Sequence, residues 1–237
     1  MYLVNFATGG FYREIQQRQH GLLSPYVQGI FEFNDDVLRQ TDWYTRNKTM
    51  IEESYTGWGY ASWKATILLD VFRVTHFGDL IFYSDVSDEI YNPEFFSWAT
   101  SRTIDLGGHF FNLNYYNHGE WTKRDCFVEM DCDTPEYWNH RQLEAGTIIL
   151  ENNLENKILL NDWKFWCEDY TALDKHPNKL GKDNLPGYKD HRTDQSILTN
   201  LVIKRDWKTE YMENIRAYIK YNAFDNVLDY DKHTVRR

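Results

Sequence analysis

The first third of the chain alternates between compact apolar runs and polar stretches with helical character. Residues 2–7 form an apolar run that predicts a buried strand, and Thr8 with the two glycines after it predicts a turn. Residues 12–20 then have helical character, residues 26–33 are a candidate second strand, and residues 35–40 begin a polar helix. The order predicted here is therefore strand, helix, strand, helix.

The same alternation continues through the middle of the chain. In residues 63–77 the apolar positions recur at helical spacing, and Gly78 is placed to end the predicted helix. Residues 80–83 are entirely apolar and predict a second fully buried strand. Residues 143–151 predict a further strand, and residues 154–170 predict an amphipathic helix. Strands that alternate with helices in this way indicate an α/β fold.

The last third contains a long irregular stretch. Residues 174–190 hold two prolines and two glycines among many charges, which predicts a loop of unusual length. Loops of this kind are often functional lids. The polar segment 191–196 then opens a helix over residues 197–203, with Thr193 or Asp194 as the expected N-cap.

Length and composition favour one well-packed domain. The chain has 237 residues, which is at the upper end for one domain and short for two, so we expect a single domain over residues 1–237. Hydrophobic residues make up 42% and aromatic residues 17%, enough for one core. Some rings are expected to line a groove, because sugars and bases stack on flat faces, although any single ring serves a core equally well.

The charge balance bears on the kind of partner. The formal net charge is −10, and no basic stripe interrupts the acidic excess. Surfaces that bind DNA or RNA carry a basic excess, so we expect no nucleic-acid partner. An acidic cleft suits a divalent cation that carries a phosphate ligand.

Cysteine spacing and the N-terminus bear on the compartment. Cys126, Cys132 and Cys167 lack the spacing of zinc ligands and predict buried free thiols in a reducing compartment. The N-terminal run lacks a basic n-region and is too short for a signal peptide. Since no stretch approaches the roughly 18 apolar residues of a membrane span, we expect a cytoplasmic protein without one.

Two acidic residues follow directly after the predicted strand 80–83. Asp85 and Asp88 would stand at its carboxyl end, where open α/β sheets hold their ligands. Carboxylate oxygens are the ligands that hard divalent cations prefer, so a metal site is one interpretation. Acidic turns are common, and on spacing alone a structural turn is the better interpretation.

Three motifs in order give these residues a context. The chain contains GWGYASWKATILLD, then YSDVSDEI, and far downstream HRTDQSILTNL. Together they resemble a family of small GT-A glycosyltransferases found in polysaccharide gene clusters and in large DNA viruses, chloroviruses among them. The resemblance covers roughly residues 1 to 205. It implies a three-layer α/β sandwich of the GT-A type with one central mixed, mostly parallel sheet.

The resemblance also implies a cation site for Mn²⁺ or Mg²⁺. Asp85 takes the first place of the family's Asp-x-Asp motif and would contact the metal. The third place is Ser87 and not aspartate, so either Asp88 or Ser87 with water would complete the site. His191 is a further candidate metal ligand.

The donor pocket implied by the resemblance begins at the first strand. Phe6, Ala7, Thr8 and Tyr12 would form the base and ribose pocket, although an ordinary strand end explains them equally well. Trp63 is a candidate donor contact or a core anchor. Lys64, the next residue, would stand at the start of a helix, where a cation is unfavourable. We therefore expect a phosphate or a carboxylate as its partner.

The late polar cluster is the candidate for chemistry at the sugar. In the resembling enzymes an Asp-Gln pair at a helix start faces the reacting sugar, which assigns catalytic roles to Asp194 and Gln195. Arg192 would clamp phosphate, since arginine forms paired hydrogen bonds with it. Glu144 is a further candidate contact to the sugar. The alternative is an ordinary helix N-terminus with its caps.

The sequence therefore predicts a metal-dependent glycosyltransferase. Its donor would be a nucleotide-diphosphate sugar, with UDP as the expected nucleotide, and its acceptor a glycan or glycoprotein. Two alternatives stay open: a glycoside hydrolase, which would also use carboxylates and aromatic rings, and a carbohydrate-binding module without catalysis. The absence of a Gly-x-Gly-x-x-Gly motif, a Walker loop and a Gly-x-Ser-x-Gly motif argues against other common α/β enzymes.

Overall fold

A six-stranded mixed sheet forms the middle layer of the protein. The structure is a computed structural model that describes residues 1–220, without the side chains of residues 103–106. The strands are β1 (Tyr2–Ala7), β2 (Gly29–Asn34), β3 (Leu80–Ser84), β4 (Glu89–Ile90), β5 (Gly108–Asn117), β6 (Arg141–Glu151), β7 (Glu210–Tyr211) and β8 (Ile219–Lys220). The strand order is β2-β1-β3-β6-β5-β7, and β4 pairs with β8 in a separate two-stranded sheet.

Ten helices accompany the sheets within residues 1–220. They are α1 (Gly9–Leu23), α2 (Asp35–Leu38), α3 (Asp42–Glu53), α4 (Lys64–Val74), α5 (Glu94–Leu106), α6 (Arg124–Glu129), α7 (Pro135–Trp138), α8 (Leu154–Trp166), α9 (Tyr170–Leu173) and α10 (Thr193–Lys204). Short 3₁₀ turns lie at Ser24–Tyr26, Trp58–Ala61, His118–Glu120 and Met212–Ile215. No helix in this part of the chain is both long and apolar enough to cross a bilayer.

The direction of the strands sets where a ligand site can form. β1 runs parallel to β2 and β3, and β7 runs parallel to β5, whereas β6 runs antiparallel to both β3 and β5. β1 and β3 therefore end at the same edge of the sheet. That edge is where α/β sheets bind their ligands.

Two hydrophobic cores cover the two faces of the sheet. Successive strand side chains point to opposite faces, so Val4 and Tyr83 enter one core while Leu3 and Phe82 enter the other. The first core is closed by α4, α8 and α10, and the second by α1 and α5. The expected three-layer α/β sandwich with one central mixed sheet is thus confirmed.

The predicted elements agree best where the apolar pattern is simplest. The predicted strand 2–7 coincides with β1, and the predicted strand 80–83 is β3 without its last residue. β2 begins later than predicted, at Gly29, because residues 24–26 form a 3₁₀ turn with Pro25. The predicted helix 154–170 is wrong in its last turn, since α8 ends at Trp166.

Two further predictions concern the cysteines and the extent of the domain. Cys126, Cys132 and Cys167 are buried and free, as predicted. A single domain over residues 1–237 stays a prediction, and its last part, residues 221–237, lies outside the described residues.

Candidate functional site

A cavity of about 230 Å³ opens where β1 and β3 end. Its lining residues are Phe6, Thr8, Tyr12, Gly57, Trp58, Ala61, Trp63, Lys64, Asp85, Val86 and Ser87. Most of the residues predicted for the donor pocket therefore meet in one place. A larger cavity of about 320 Å³ lies between Gly107 and Trp207, but it contains none of the predicted site residues.

One wall of the cavity is aromatic. The ring of Phe6 stacks on Trp63 with 3.8 Å between centroids and on Trp58 with 5.5 Å. Phe6 and Trp63 are almost fully buried, whereas Trp58 is partly exposed. Ala7 is buried behind the cavity and packs with Val86. Of the three rings, only the partly exposed Trp58 leaves surface that a ligand such as a base could contact.

The loop that carries this wall has a strained backbone, which hydrogen bonds keep in place. Gly59, Tyr60 and Ala61 have φ values of 58°, 54° and 58° in succession. Positive φ is uncommon for a residue with a side chain and is kept only where the surroundings enforce it. Here the hydroxyl of Ser54 accepts the Gly59 N–H, and the indole N–H of Trp63 donates to the carbonyl of Trp58.

Lys64 lies at the bottom of the cavity and is buried between acidic groups. Its Nζ donates to the carbonyl of Ala145 at 3.0 Å and lies 3.4 Å from Oδ1 of Asp85 and 3.3 Å from Oδ2 of Asp194. Burial alone would lower the pKa of Lys64, but the charges of Asp194 and Asp85 raise it above its ordinary value. Of the two partners expected for Lys64, the structure supplies the carboxylates.

Asp85 and Glu144 converge above Gly146. The Asp85 side chain is 38% exposed, and its Oδ1 accepts the hydroxyl hydrogen of Tyr83. A Cβ on Gly146 would stand 2.7 Å from Oδ2 of Asp85 and 2.9 Å from Oε1 of Glu144, so a larger residue there would push these two carboxylates out of their present positions. Burial, followed by the charge of Asp85, raises the pKa of Glu144.

The first turn of α10 brings Asp194 and Gln195 to the same region. Burial raises the pKa of Asp194 to about 6, although Lys64 opposes the shift. Oε1 of Gln195 accepts the N–H of Ala145 at 3.3 Å, and its Nε2 is buried without a partner among the described residues. The predicted N-cap is wrong, because Arg192 precedes the helix and Thr193 already lies inside it, with φ of 39°.

The turn that carries Asp85 is fixed from α1. The side-chain amide of Gln19 donates to the carbonyls of Val86, at 3.1 Å, and Asp88, at 2.5 Å. The N–H of Asp88 in turn donates to the carbonyl of Asp85 at 3.0 Å. Sequence analysis missed Gln19, because a glutamine inside a helix gives no local sign of a partner so far along the chain.

The predicted metal ligands divide into two groups. Asp85 and Ser87 line the cavity and offer the hard oxygen ligands that Mn²⁺ or Mg²⁺ requires. Asp88 is 3% exposed, accepts the hydroxyl hydrogen of Thr147 and does not line the cavity. In the described part of the chain no three His, Cys, Asp or Glu side chains form a metal cluster. Of the predicted ligands in this paragraph, Asp85 and Ser87 therefore fit a cation in the cavity, and Asp88 does not.

His191 is the predicted ligand whose surroundings differ most from the expectation. Its Nδ1 accepts the N–H of Lys123 at 3.2 Å, and its Nε2 donates to the carbonyl of Ala172 at 3.0 Å. The side chain is fully buried, and burial lowers its pKa to about 3. With both ring nitrogens occupied inside the protein, the geometry supports a structural role.

The long loop 174–190 is tied down along its length. Asp174 pairs with the buried Lys123, and the carboxylate of Asp125 accepts the backbone N–H groups of Lys179 and Leu180. These bonds hold the loop against α6. The geometry therefore does not support the expected lid.

No protein-family model matches the sequence, and no curated protein sequence matches it. Among solved structures, the crystal structure of mouse xyloside xylosyltransferase 1 in its apo form aligns with 89% of this chain and 84% of that chain. The TM-score is 0.46 and the sequence identity 9%. A likeness this distant carries no weight for function, and the α/β class rests on the sheet and the two cores.

Proposed function

We propose that the chain is a glycosyltransferase that moves a sugar from a nucleotide-diphosphate sugar, UDP-linked in our expectation, to a glycan or glycoprotein acceptor. The observation that carries this proposal is the cavity in which the aromatic wall of Phe6 and Trp58 stands next to Asp85 and Ser87. A base stacks on rings, while a diphosphate needs a cation and hydrogen-bond donors. The cavity offers both kinds of surface side by side at the ends of parallel strands.

A divalent cation, Mn²⁺ or Mg²⁺, is part of the proposal. Asp85 and Ser87 would hold it, and the cation would neutralise the charge that builds on the leaving diphosphate. The local charge balance favours this, because the single ammonium of Lys64 lies among three carboxylates, those of Asp85, Glu144 and Asp194. A diphosphate that entered without a cation would meet this acidic excess.

The residues next to the cavity supply the proposed acceptor side. Glu144 is partly exposed beside Asp85, and burial raises its pKa, which makes it a stronger base than an ordinary carboxylate. Asp194, which does not line the cavity, fixes Lys64, and Oε1 of Gln195 accepts the backbone N–H of Ala145, the residue after Glu144. In this arrangement Glu144 takes the proton of the acceptor hydroxyl, while Asp194 and Gln195 position Lys64 and the Ala145 backbone next to it.

A thermal-shift titration with UDP and GDP, with and without Mn²⁺, tests the proposal. A ligand that binds the native state raises the melting temperature by mass action, so we expect a shift that Mn²⁺ enlarges. Asp85→Ala is expected to abolish the effect of Mn²⁺, while the surface control Asp70→Ala keeps it. If no nucleotide shifts the melting temperature and glycosides are cleaved without one, the chain is a glycoside hydrolase.

A further inference from the structure

Arg192 differs from the other partly buried arginines in having no carboxylate partner. Arg13, Arg124 and Arg205 each lie within 4.0 Å of an aspartate. Among the described side chains no carboxylate lies that close to Arg192, and its guanidinium donates no hydrogen bond to them. A guanidinium carries five N–H donors and stays charged at any ordinary pH. Its donors are therefore free for a ligand.

Two aromatic rings hold this guanidinium in place. Its central carbon lies 5.1 Å from the ring centre of Tyr116 and 4.8 Å from that of Trp121. The two rings are 5.0 Å apart and tilted by 48°. The backbone N–H of Arg192 also donates to the carbonyl of Trp121 at 3.0 Å. The charge is thus preorganised and not a mobile surface group.

This arginine lies beside the proposed chemistry but outside the nucleotide cavity. Arg192 does not line the cavity at the strand ends. It immediately precedes α10, whose Gln195 bonds to Ala145, the residue after Glu144. The charge of Arg192 also acts to lower the pKa of Glu144, so Arg192 lies on the Glu144 side of the site, where an acceptor would approach.

We infer that Arg192, with Tyr116 and Trp121, binds an anionic group carried by the acceptor sugar, a carboxylate or a phosphate. A guanidinium matches both groups with paired hydrogen bonds. Aromatic rings add the flat surface on which a sugar ring packs, and the indole N–H of Trp121 is buried without a partner among the described residues. The term acceptor rests on the proposed function, but the anion site itself does not.

A matched set of small ligands tests the inference. Methyl glucuronide and glucose 6-phosphate carry an anion on the sugar, methyl glucoside carries none, and inorganic phosphate carries no sugar. Binding to the full chain is measured by calorimetry, both alone and with UDP and Mn²⁺. We expect an anionic sugar to bind about tenfold tighter than methyl glucoside and tighter than phosphate.

Two variants assign the effect to Arg192. Arg192→Gln is expected to remove the preference for the anionic sugar, and Arg192→Lys to keep only part of it because the paired geometry is lost. Arg205→Gln is the matched control, since Arg205 also lies over a tryptophan but is paired with Asp162. Three results would overturn the inference. They are equal binding of charged and neutral sugars under both conditions, a preference that survives Arg192→Gln, and inorganic phosphate that binds as tightly as the anionic sugars. Because these ligands contain no nucleotide, failure here is distinct from failure of the donor test.

Discussion

Lys64 and Asp194 form a buried ion pair, with 3.3 Å between Nζ and Oδ2 and only 6% and 7% of the side chains exposed. Asp85 lies on the cavity side of the same ammonium at 3.4 Å. Removing one partner of a buried pair leaves an uncompensated charge, which is costly in a medium of low polarity. The pair therefore links the stability of the fold to the geometry of the site.

Lys64→Met is the direct test of that link. It leaves Asp85 and Asp194 without their shared cation, so we expect the free energy of unfolding to fall by about 3–5 kcal/mol. Urea unfolding measures this. The control Lys48→Met removes an exposed pair with Glu52 and is expected to change stability by less than about 1 kcal/mol. A Lys64→Met protein as stable as its parent would contradict the interpretation of the pair.

The pair of Lys64 and Asp194 also shows which parts of the site can be predicted from the sequence and which cannot. β1 and β3 are apolar runs with one polar residue each, so their ends, and with them Thr8 and Asp85, could be located from the local pattern. Nothing in the sequence around Lys64 or around Asp194 indicates that these two residues lie next to each other. That contact depends on how α4 and α10 pack on the same face of the sheet.

Sequence analysis did not predict β5 or α3, for two different reasons. β5 (Gly108–Asn117) is buried in its first half and partly exposed in its second half, so it neither alternates nor forms one apolar run. α3 (Asp42–Glu53) does show helical spacing, with Trp43, Asn47 and Met50 on its buried face. Its low overall hydrophobicity hid that signal among polar neighbours.

Gln19 yields a second prediction, about the turn that carries Asp85. Gln19→Leu removes both bonds to the carbonyls of Val86 and Asp88, so the turn loses its anchor on α1. We expect the affinity for UDP with Mn²⁺ to fall about tenfold, which corresponds to roughly 1.4 kcal/mol. Faster amide hydrogen exchange in residues 84–90 is expected as well, whether or not a nucleotide binds.

Gln16 provides the matched control on the same helix. It is equally buried, but its amide donates to Asn5 and to the carbonyl of Phe33, away from the turn. Gln16→Leu is therefore expected to cost similar stability while leaving exchange in residues 84–90 and nucleotide affinity near the parental values. If the two variants behave alike in both measurements, Gln19 supports the fold in general and not the turn.

The buried histidines predict how stability depends on pH. Burial lowers the pKa of both His118 and His191 to about 3. The unfolded chain takes up these protons near its ordinary pKa of about 6.5, whereas the folded chain does not. Their contribution is therefore complete above about pH 6.5 and is lost as the pH falls towards 3. Each histidine contributes a slope of up to about 1.4 kcal/mol per pH unit within that window.

The carboxyl group of Asp194 acts in the opposite direction, but at lower pH. The raised pKa of Asp194, about 6, makes the folded chain bind a proton before the unfolded chain does. This adds stability only as the pH falls below about 6. Between about pH 7 and pH 6 the histidines therefore dominate, and urea unfolding should show a loss of stability. Constant or rising stability over that interval would show that the histidines are not buried as described.

The last prediction separates catalysis from folding at Asp194. Asp194→Asn keeps the shape of the side chain but removes one of the charges that hold Lys64. Interactions that matter mainly in the transition state lower kcat when they are lost, whereas ground-state contacts mainly raise KM. If Asp194 and Gln195 face the reacting sugar, kcat should fall about 100-fold or more, with nucleotide affinity near the parental value.

Some loss of stability, about 1–3 kcal/mol, is expected because the hydrogen-bonded charge is gone. Assays well below the melting temperature, with the surface variant Asp162→Asn as control, keep the two effects apart. A normal kcat would make Asp194 only the anchor of Lys64, and Glu144→Gln would then be the variant in which the loss of transfer should be found.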